Sequence, residues 1–328
     1  MGDLPQTRVE PSPPFTHVGV DCFGPYTVTD RRTELKRWGL LITCMYSRAV
    51  HIEILEVMSA DSFINAIKRF ICIRGGIKTI YCDNGTNFVG ADNELTKDFE
   101  TMNCTLKAAL KDEMIEFKFN APGASHAGGA WERQIRIIKG VLNGMITTYK
   151  GRMTTESLRT AFYESMSTVN SRPLTVDNLY KPNEIVITPN HLIMMKPRQA
   201  PLLPGEFDKQ EIYGRKQWRK VQMFAKEFWT EWKAGYIANI TKRQKWTQVK
   251  RQIQTGDLVL IVDDFQPRNQ WLTAIVEDTI NEKNELPKRA KVRVASRYLD
   301  KSGKRLEKAT VLERPIQKLI LLLPSESE

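Results

Sequence analysis

Three apolar, β-branched runs, HVGVDCFG (17–24), WGLLITCMY (38–46) and AVHIEILEV (49–57), follow one another with only turn-forming or polar residues between them. Runs of this length and composition form neighbouring strands of one sheet. Ser59 then offers an N-cap to a segment with Phe63, Ile64, Ile67, Phe70 and Ile71 at helical spacing, which stops at Gly75 and Gly76. IKTIYCD (77–83) reads as a buried strand returning after that helix, the crossover that parallel pairing requires. The first part of the chain is therefore expected to be α/β, a mixed sheet flanked by helices.

A break follows at PRQAPLLPGE (197–206), whose three prolines and one glycine disfavour helix and suit a linker. Beyond it Trp218, Val221, Phe224, Ala225, Phe228, Trp232 and Tyr236 recur at three- and four-residue steps, which predicts one helix over about 213–237 with an aromatic stripe. GDLVLIVDD (256–264), WLTAIVEDTI (271–280), KVRVASRYL (291–299) and PIQKLILLL (315–323) then give four short strands at regular intervals, the pattern of a small barrel.

Charge points to the partner. Forty-nine Lys and Arg against 38 Asp and Glu leave a formal charge of +11, which favours a polyanion. The excess is concentrated after residue 200, and 215–251 holds 11 basic residues with only Glu227 and Glu231 as acids. The apolar runs, LILLL (319–323) among them, are too short to cross a bilayer, and residues 1–15 are Pro-rich without an apolar secretory core, so a soluble protein made without export is expected, with no membrane partner. Five Cys at 22, 44, 72, 82 and 104 make no CxxC pair, and His17, His51, His126 and His191 are scattered, so reduced thiols and no zinc are expected.

Three acids stand where folded chains rarely put them. Asp21 interrupts an apolar strand run, Asp83 ends IKTIYC, and Glu132 follows HAGGAW and opens a helix. Strand and helix termini of different segments converge on one edge of a sheet. An uncompensated buried carboxylate costs several kcal/mol, so such a cluster calls for a cation, and oxygen ligation with few His points to Mg²⁺ or Mn²⁺. Two such ions can clamp the attacking and leaving oxygens of a phosphodiester. Taken singly, each acid has a plainer reading: Asp83-Asn84-Gly85 makes a turn, and an acid in a first helical turn complements the helix dipole.

The strings around these acids carry a resemblance. VDCFGPY with Asp21, CDNGTNFVGA with Asp83 and APGASHAGGAWERQIRIIKGVL with Glu132 together resemble the catalytic core of retroelement integrases, most closely those of BEL/Pao-type retrotransposons. The likeness continues through NSRPLT (170–175), TPNHLI (188–193), RKQWRKVQMFAKEFWTEW (215–232) and GDLVLIVDD with PRNQW, over nearly the whole chain. It implies an RNase H-like core with Asp21, Asp83 and Glu132 as both catalytic acids and metal ligands. Asp21 would bridge two Mg²⁺ or Mn²⁺ ions, Asp83 would hold one and Glu132 the other. The implied activity is 3′-end processing of element DNA and its joining to target DNA. The 48 residues between Asp83 and Glu132 exceed the spacing of retroviral relatives and suggest an extended helix and loop region around 91–114.

The resemblance gives this organisation: a linker over 1–14, an integrase core over 15–196, a linker and basic aromatic helix over 197–250, and an SH3-like C-terminal barrel over 251–324. It also implies a homo-oligomer, because two DNA ends are joined together, and a nuclear destination after synthesis in the cytoplasm. Chromatin is a further partner suggested by the barrel. Integrases of this kind carry an N-terminal zinc module, and Met1 falls about where a polyprotein would leave it, so a fragment or stand-alone derivative is expected.

Around the triad, Glu132, Arg136, Lys139 and Asn143 fall on one helical face, with Ile135, Ile138, Leu142, Met145 and Tyr149 on another. Arg136, Lys139 and Asn143 are read as DNA contacts, the alternative being a solvated basic face. Asn84, Asn87 and His126 are placed around the site without ligating, and they serve equally as turn and loop residues; His126 lies in a stretch with three glycines (123–129) that resembles the mobile loop of the family. Lys216, Arg219, Lys220, Lys242, Arg243 and Lys245 are read as phosphate contacts, or else as charges facing water while the aromatic stripe docks on a partner subunit. Two further functions stay open: a truncated or domesticated remnant that binds DNA or chromatin without catalysis, and a nuclease that only hydrolyses.

Overall fold

A computed structural model describes residue 7 and residues 10–82, 115–119, 129–149, 152–174, 187–195, 205–240, 252–263, 266–280, 287–294 and 309–325. The chain divides into two compact units, one of residues 1–170 with 192–233 and one of residues 171–191 with 234–328.

The first unit is built on a five-stranded mixed sheet. Its strands are β1 (His17–Asp30), β2 (Thr33–Cys44), β3 (Val50–Leu55), β4 (Thr79–Cys82) and β5 (Glu116–Phe119), in the order β3-β2-β1-β4-β5. β1, β2 and β3 form an antiparallel meander, and β4 and β5 run parallel to β1. This agrees with the three neighbouring strands and the crossover read from the sequence. The crossover helix α1 (Ala60–Arg74) begins at Ser59, whose hydroxyl accepts from the Ser62 amide, and ends at Gly75 with φ of 94°, a backbone that only glycine adopts without strain. β5, only four residues long, was not anticipated.

Alternation along β1 separates two faces. Val18 and Val20 join Leu40, Ile42, Phe63 and Phe70 in the core beneath α1. Phe23 and Tyr26 pack on the other face against Phe162, with ring centroids 5.5 and 6.0 Å away. Phe162 belongs to α3 (Thr155–Asn170), which follows α2 (Gly129–Thr148). The expected apolar face of α2 is buried at Ile135, Ile138, Leu142, Met145 and Tyr149. Across the strands Phe23 pairs with Gly39, and its ring occupies the space a Cβ at Gly39 would need.

Polar groups tie down β3. The amide nitrogen and carbonyl of Val50 bond to the Asn170 side chain, both at 2.8 Å, so the head of the NSRPLT string supplies what a further strand would otherwise provide. Glu53 is 4 % exposed and accepts from His51 Nε2 at 2.9 Å and Arg69 Nε at 3.0 Å. An ionised carboxylate can only accept, so His51 carries its proton on Nε2. Burial alone would raise the Glu53 carboxyl, but these two donors outweigh it and hold its pKa below the ordinary 4.5.

The short helix α4 (Pro189–Met194) and a 3₁₀ turn at Lys209–Tyr213 come before α5 (Gln217–Ile240). Val221, Phe224, Phe228 and Trp232 of its stripe are buried within the chain, with Phe224 against Tyr149 at 5.4 Å. Only Trp218 of the stripe is strongly exposed. These buried rings do not offer a partner subunit a docking face, which corrects that expectation.

The second unit carries an antiparallel sheet of β6 (Leu258–Ile261), β7 (Leu272–Ile280), β8 (Arg289–Val294), β9 (Thr310–Pro315) and β10 (Leu319–Leu323), in the order β10-β6-β7-β8-β9. Among the described residues five strands stand where four were expected, because Thr310–Pro315 pairs with β8; residues 295–299 of KVRVASRYL lie outside the described residues. Val259, Ile261, Val276, Val292 and Leu319 form its core. Asp257, fully buried, accepts from the amides of Gln254 and Ser325 at 2.8 and 2.7 Å and so closes the turn before β6 onto the end of β10.

Gly39→Ala should lower stability by about 1–3 kcal/mol through overpacking against Phe23, measured by urea denaturation, with a smaller loss in a Phe23→Leu background. Because the folded pKa of Glu53 lies below its unfolded value, its contribution is complete above about pH 4.5 and disappears as pH falls through the folded value. Denaturation between pH 6 and pH 3 should show a steeper acid-side loss in the wild type than in Glu53→Gln.

Candidate functional site

Alternation along β1 turns Asp21 onto the face covered by α2. Its side chain is 37 % exposed and forms an ion pair through Oδ2 with Nζ of Lys139, itself 21 % exposed. The same ammonium donates to the Cys22 carbonyl at 2.9 Å. One helical turn further, Asn143 Oδ1 accepts from the Tyr26 hydroxyl at 2.6 Å. Burial pushes the Tyr26 phenol far above its ordinary 10.0, so it stays a neutral donor. α2 is thus fastened to β1 at two polar points, over the apolar contact of Ile138 and Leu142. Tyr26 was missed from sequence; a tyrosine at a buried position of an apolar strand run is the signal that it needs a hydroxyl partner.

The anticipated helical face is only partly visible. Arg136 and Asn143 are exposed and Lys139 is half-buried. Glu132 stands in the first turn of α2, but its side chain lies outside the described residues, as do Asp83, Asn84, Asn87, His126 and the 91–114 region. On the backbone, β1 and β4 are parallel, and their last paired residues, Gly19 and Tyr81, precede Asp21 and Asp83 by two positions each. Among the described residues no three His, Cys, Asp or Glu side chains gather into a metal-binding group.

The basic residues of the second half divide. Lys216 is exposed. Arg219 bonds Glu211 at 2.6 Å and the Glu206 carbonyl at 3.0 Å, and it lies over the rings of Phe207 and Trp218. That hydrogen bond lowers the Glu211 carboxyl and raises the Arg219 guanidinium from their ordinary values. Lys220 is 6 % exposed and donates to the Arg152 carbonyl at 2.9 Å; burial, then the charge of Arg152, depresses its pKa. Its ammonium is thus engaged by a backbone carbonyl within the chain. Lys242, Arg243 and Lys245 lie outside the described residues. On the second sheet Arg289 is paired with Glu313 at 3.1 Å and Arg293 with Glu277 at 3.2 Å. No helix among the described residues is long and apolar enough to cross a membrane.

Residues 216–322, α5 and nearly all of the second sheet, match a family of unknown function, DUF5641. A comparison with curated proteins finds no match. Among solved structures the chain is similar to the simian T-cell lymphotropic virus intasome in complex with PP2A regulatory subunit B56 gamma, at 11 % identity and a TM-score of 0.37, over 99 % of this chain and 84 % of that one. It is also similar to the HTLV-2 integrase catalytic core domain in complex with magnesium, in a trimeric form, at 17 % identity and a TM-score of 0.31, over 51 % of this chain and 91 % of that one. At such scores the architecture is read from this chain's own strand order and contacts.

Lys220→Met should cost about 1 kcal/mol in urea denaturation by leaving the Arg152 carbonyl without its donor. The same change should reduce binding to heparin, a simple polyanion, less than Lys216→Ala does.

Proposed function

We propose that the chain is a retroelement integrase of BEL/Pao type, joining DNA 3′ ends to target DNA through Asp21, Asp83 and Glu132. The observation that carries this reading is Asp21 on the middle strand of a mixed sheet, held against a cation from the helix that bears Glu132. The motif strings around all three acids support it, as does the parallel pairing that brings β4 beside β1 immediately before Asp83. The five-strand order of the second unit, with a 3₁₀ turn at Ile316–Lys318 before its last strand, supports the SH3-like reading of that module.

The donors fit Mg²⁺ or Mn²⁺. The carboxylate on β1 already binds positive charge, in the form of the Lys139 ammonium, and the two other acids of the motif offer only oxygen. Asp21 would hold both ions, Asp83 one and Glu132 the other. Bound there, such ions activate the attacking hydroxyl and offset charge on the phosphodiester. The chain's own part is to align the strands. In joining, the 3′ hydroxyl of one DNA end gives up its proton and its oxygen bonds to phosphorus as a target P–O bond breaks, and the released target 3′ oxygen takes up a proton. Arg136, exposed one turn from Glu132, would face the phosphates, and Lys216 would add salt-sensitive binding. A homo-oligomer would bring two ends together, in the nucleus where target DNA resides.

In a strand-transfer assay with Mn²⁺, wild type should yield joined product, and Asp83→Asn should reduce it to background while binding DNA about as well. Joining retained by Asp83→Asn would refute the catalytic role. Cleaved but unjoined product from the wild type would identify a nuclease, and binding without cleavage a non-catalytic DNA-binding remnant.

A further inference from the structure

The Lys139–Asp21 pair places a positive charge on the carboxylate that the proposed reaction needs for its metal. The position of that charge is set by the fold. α2 is pinned through Ile135, Ile138 and Leu142, which are at most 7 % exposed, and one turn beyond Lys139 by the Tyr26–Asn143 bond. The ammonium is gripped by two acceptors, Asp21 Oδ2 and the Cys22 carbonyl. A divalent ion and an ammonium cannot share a carboxylate oxygen without repulsion. Lysine, unlike arginine, carries a compact charge on a flexible stem, so it can withdraw without disturbing the helix.

We propose that Lys139 is an internal cation that occupies Asp21 in the metal-free protein and is displaced by divalent metal, the released ammonium then pairing with a DNA phosphate. This inference rests on the metal-dependent function proposed above. It makes metal and DNA binding mutually reinforcing: metal frees the ammonium for phosphate, and phosphate holds the ammonium away from Asp21. Linkage requires the effect to be equal in both directions.

The test is Mn²⁺ binding to the full chain, followed by the electron paramagnetic resonance of free Mn²⁺, with and without duplex DNA. Without DNA, Lys139→Gln should bind Mn²⁺ roughly threefold to tenfold more tightly than wild type, as expected for removal of a partly buried ion pair. DNA should tighten Mn²⁺ binding in wild type and do so less in Lys139→Gln. Equal or weaker Mn²⁺ binding by a folded Lys139→Gln protein overturns the proposal. The wild type gives a second reading that needs no variant: Mn²⁺ should raise the rate at which a soluble acylating reagent modifies Lys139, located by mass spectrometry. A rate unchanged at saturating Mn²⁺ overturns the proposal while leaving the metal site intact. Failure of both wild type and Lys139→Gln to bind Mn²⁺ removes the metal-dependent function itself, and the displacement with it.

Discussion

A carboxylate on the middle strand of a sheet needs a cation, and the first unit is arranged around meeting that need at Asp21. β1 is paired with β2 through Asp21 itself, opposite Leu41, and with β4 at His17–Gly19 just before it, which fixes where the strand carries its charge. Asp21 shares a face with Phe23, whose ring packs against Gly39 and Phe162, so its carboxylate is presented from a fixed strand at the margin of that packed face. The charge is met by Lys139, carried on a helix whose apolar side fits the same face. One ion pair thus couples the register of β1 to the docking of α2. The field that retains an ammonium there is the field a divalent ion would use.

The opposite margin of the sheet shows how polar groups fix a strand without a neighbour. Among the described residues β3 has β2 on one side only, and its other margin is occupied at Val50 by the Asn170 amide. At Glu53 the buried carboxylate bonds the buried His51 of its own strand and the half-exposed Arg69 of α1, and Arg69 also bonds the Ile54 carbonyl at 3.0 Å. Removing either donor would leave the buried Glu53 carboxylate less compensated, which is far more costly than never having placed it there. These contacts set the distance between α1 and β3, and through β2 they hold β1 and its carboxylate in place.

What was legible in the sequence follows from how local each signal is. The α1 boundaries were readable because Ser59 and Gly75 act on their own backbone, and the parallel return of β4 was readable because a helix of that length leaves few other routes. α2 was readable from its five apolar positions. β5 was not, since EFKF is four residues with two charges, and its pairing is decided by β4. α3 was missed because it buries Ser157, Ser165 and Thr168 beside its few apolar residues, which blurs the helical stripe. β9 reads as a polar segment, and its strand character comes from pairing with β8. At the site, the sequence singled out Asp21 but could not foresee that Lys139 would sit on it rather than on solvent or phosphate.

The same distinction bears on the basic charge. A formal +11 measures composition, whereas a polyanion responds to the charge left over after internal pairing. In the first unit Arg69 is matched by Glu53, Lys139 by Asp21 and Arg219 by Glu211, and Lys220 is turned onto a carbonyl. In the second, Arg289 and Arg293 stand beside Glu313 and Glu277. Three of the residues that looked most suited to phosphate, Lys139, Arg219 and Lys220, are therefore engaged within the chain, while among the described basic residues of that set Arg136 and Lys216 are exposed. Lys139 differs from the other two in what holds it. Arg219 is bonded to Glu211 and to the Glu206 carbonyl and lies over two rings, and Lys220 is buried against the Arg152 carbonyl. Lys139 is held by one carboxylate and one carbonyl at the end of a flexible stem, so of the three it is the charge whose partner a competing cation would most directly replace.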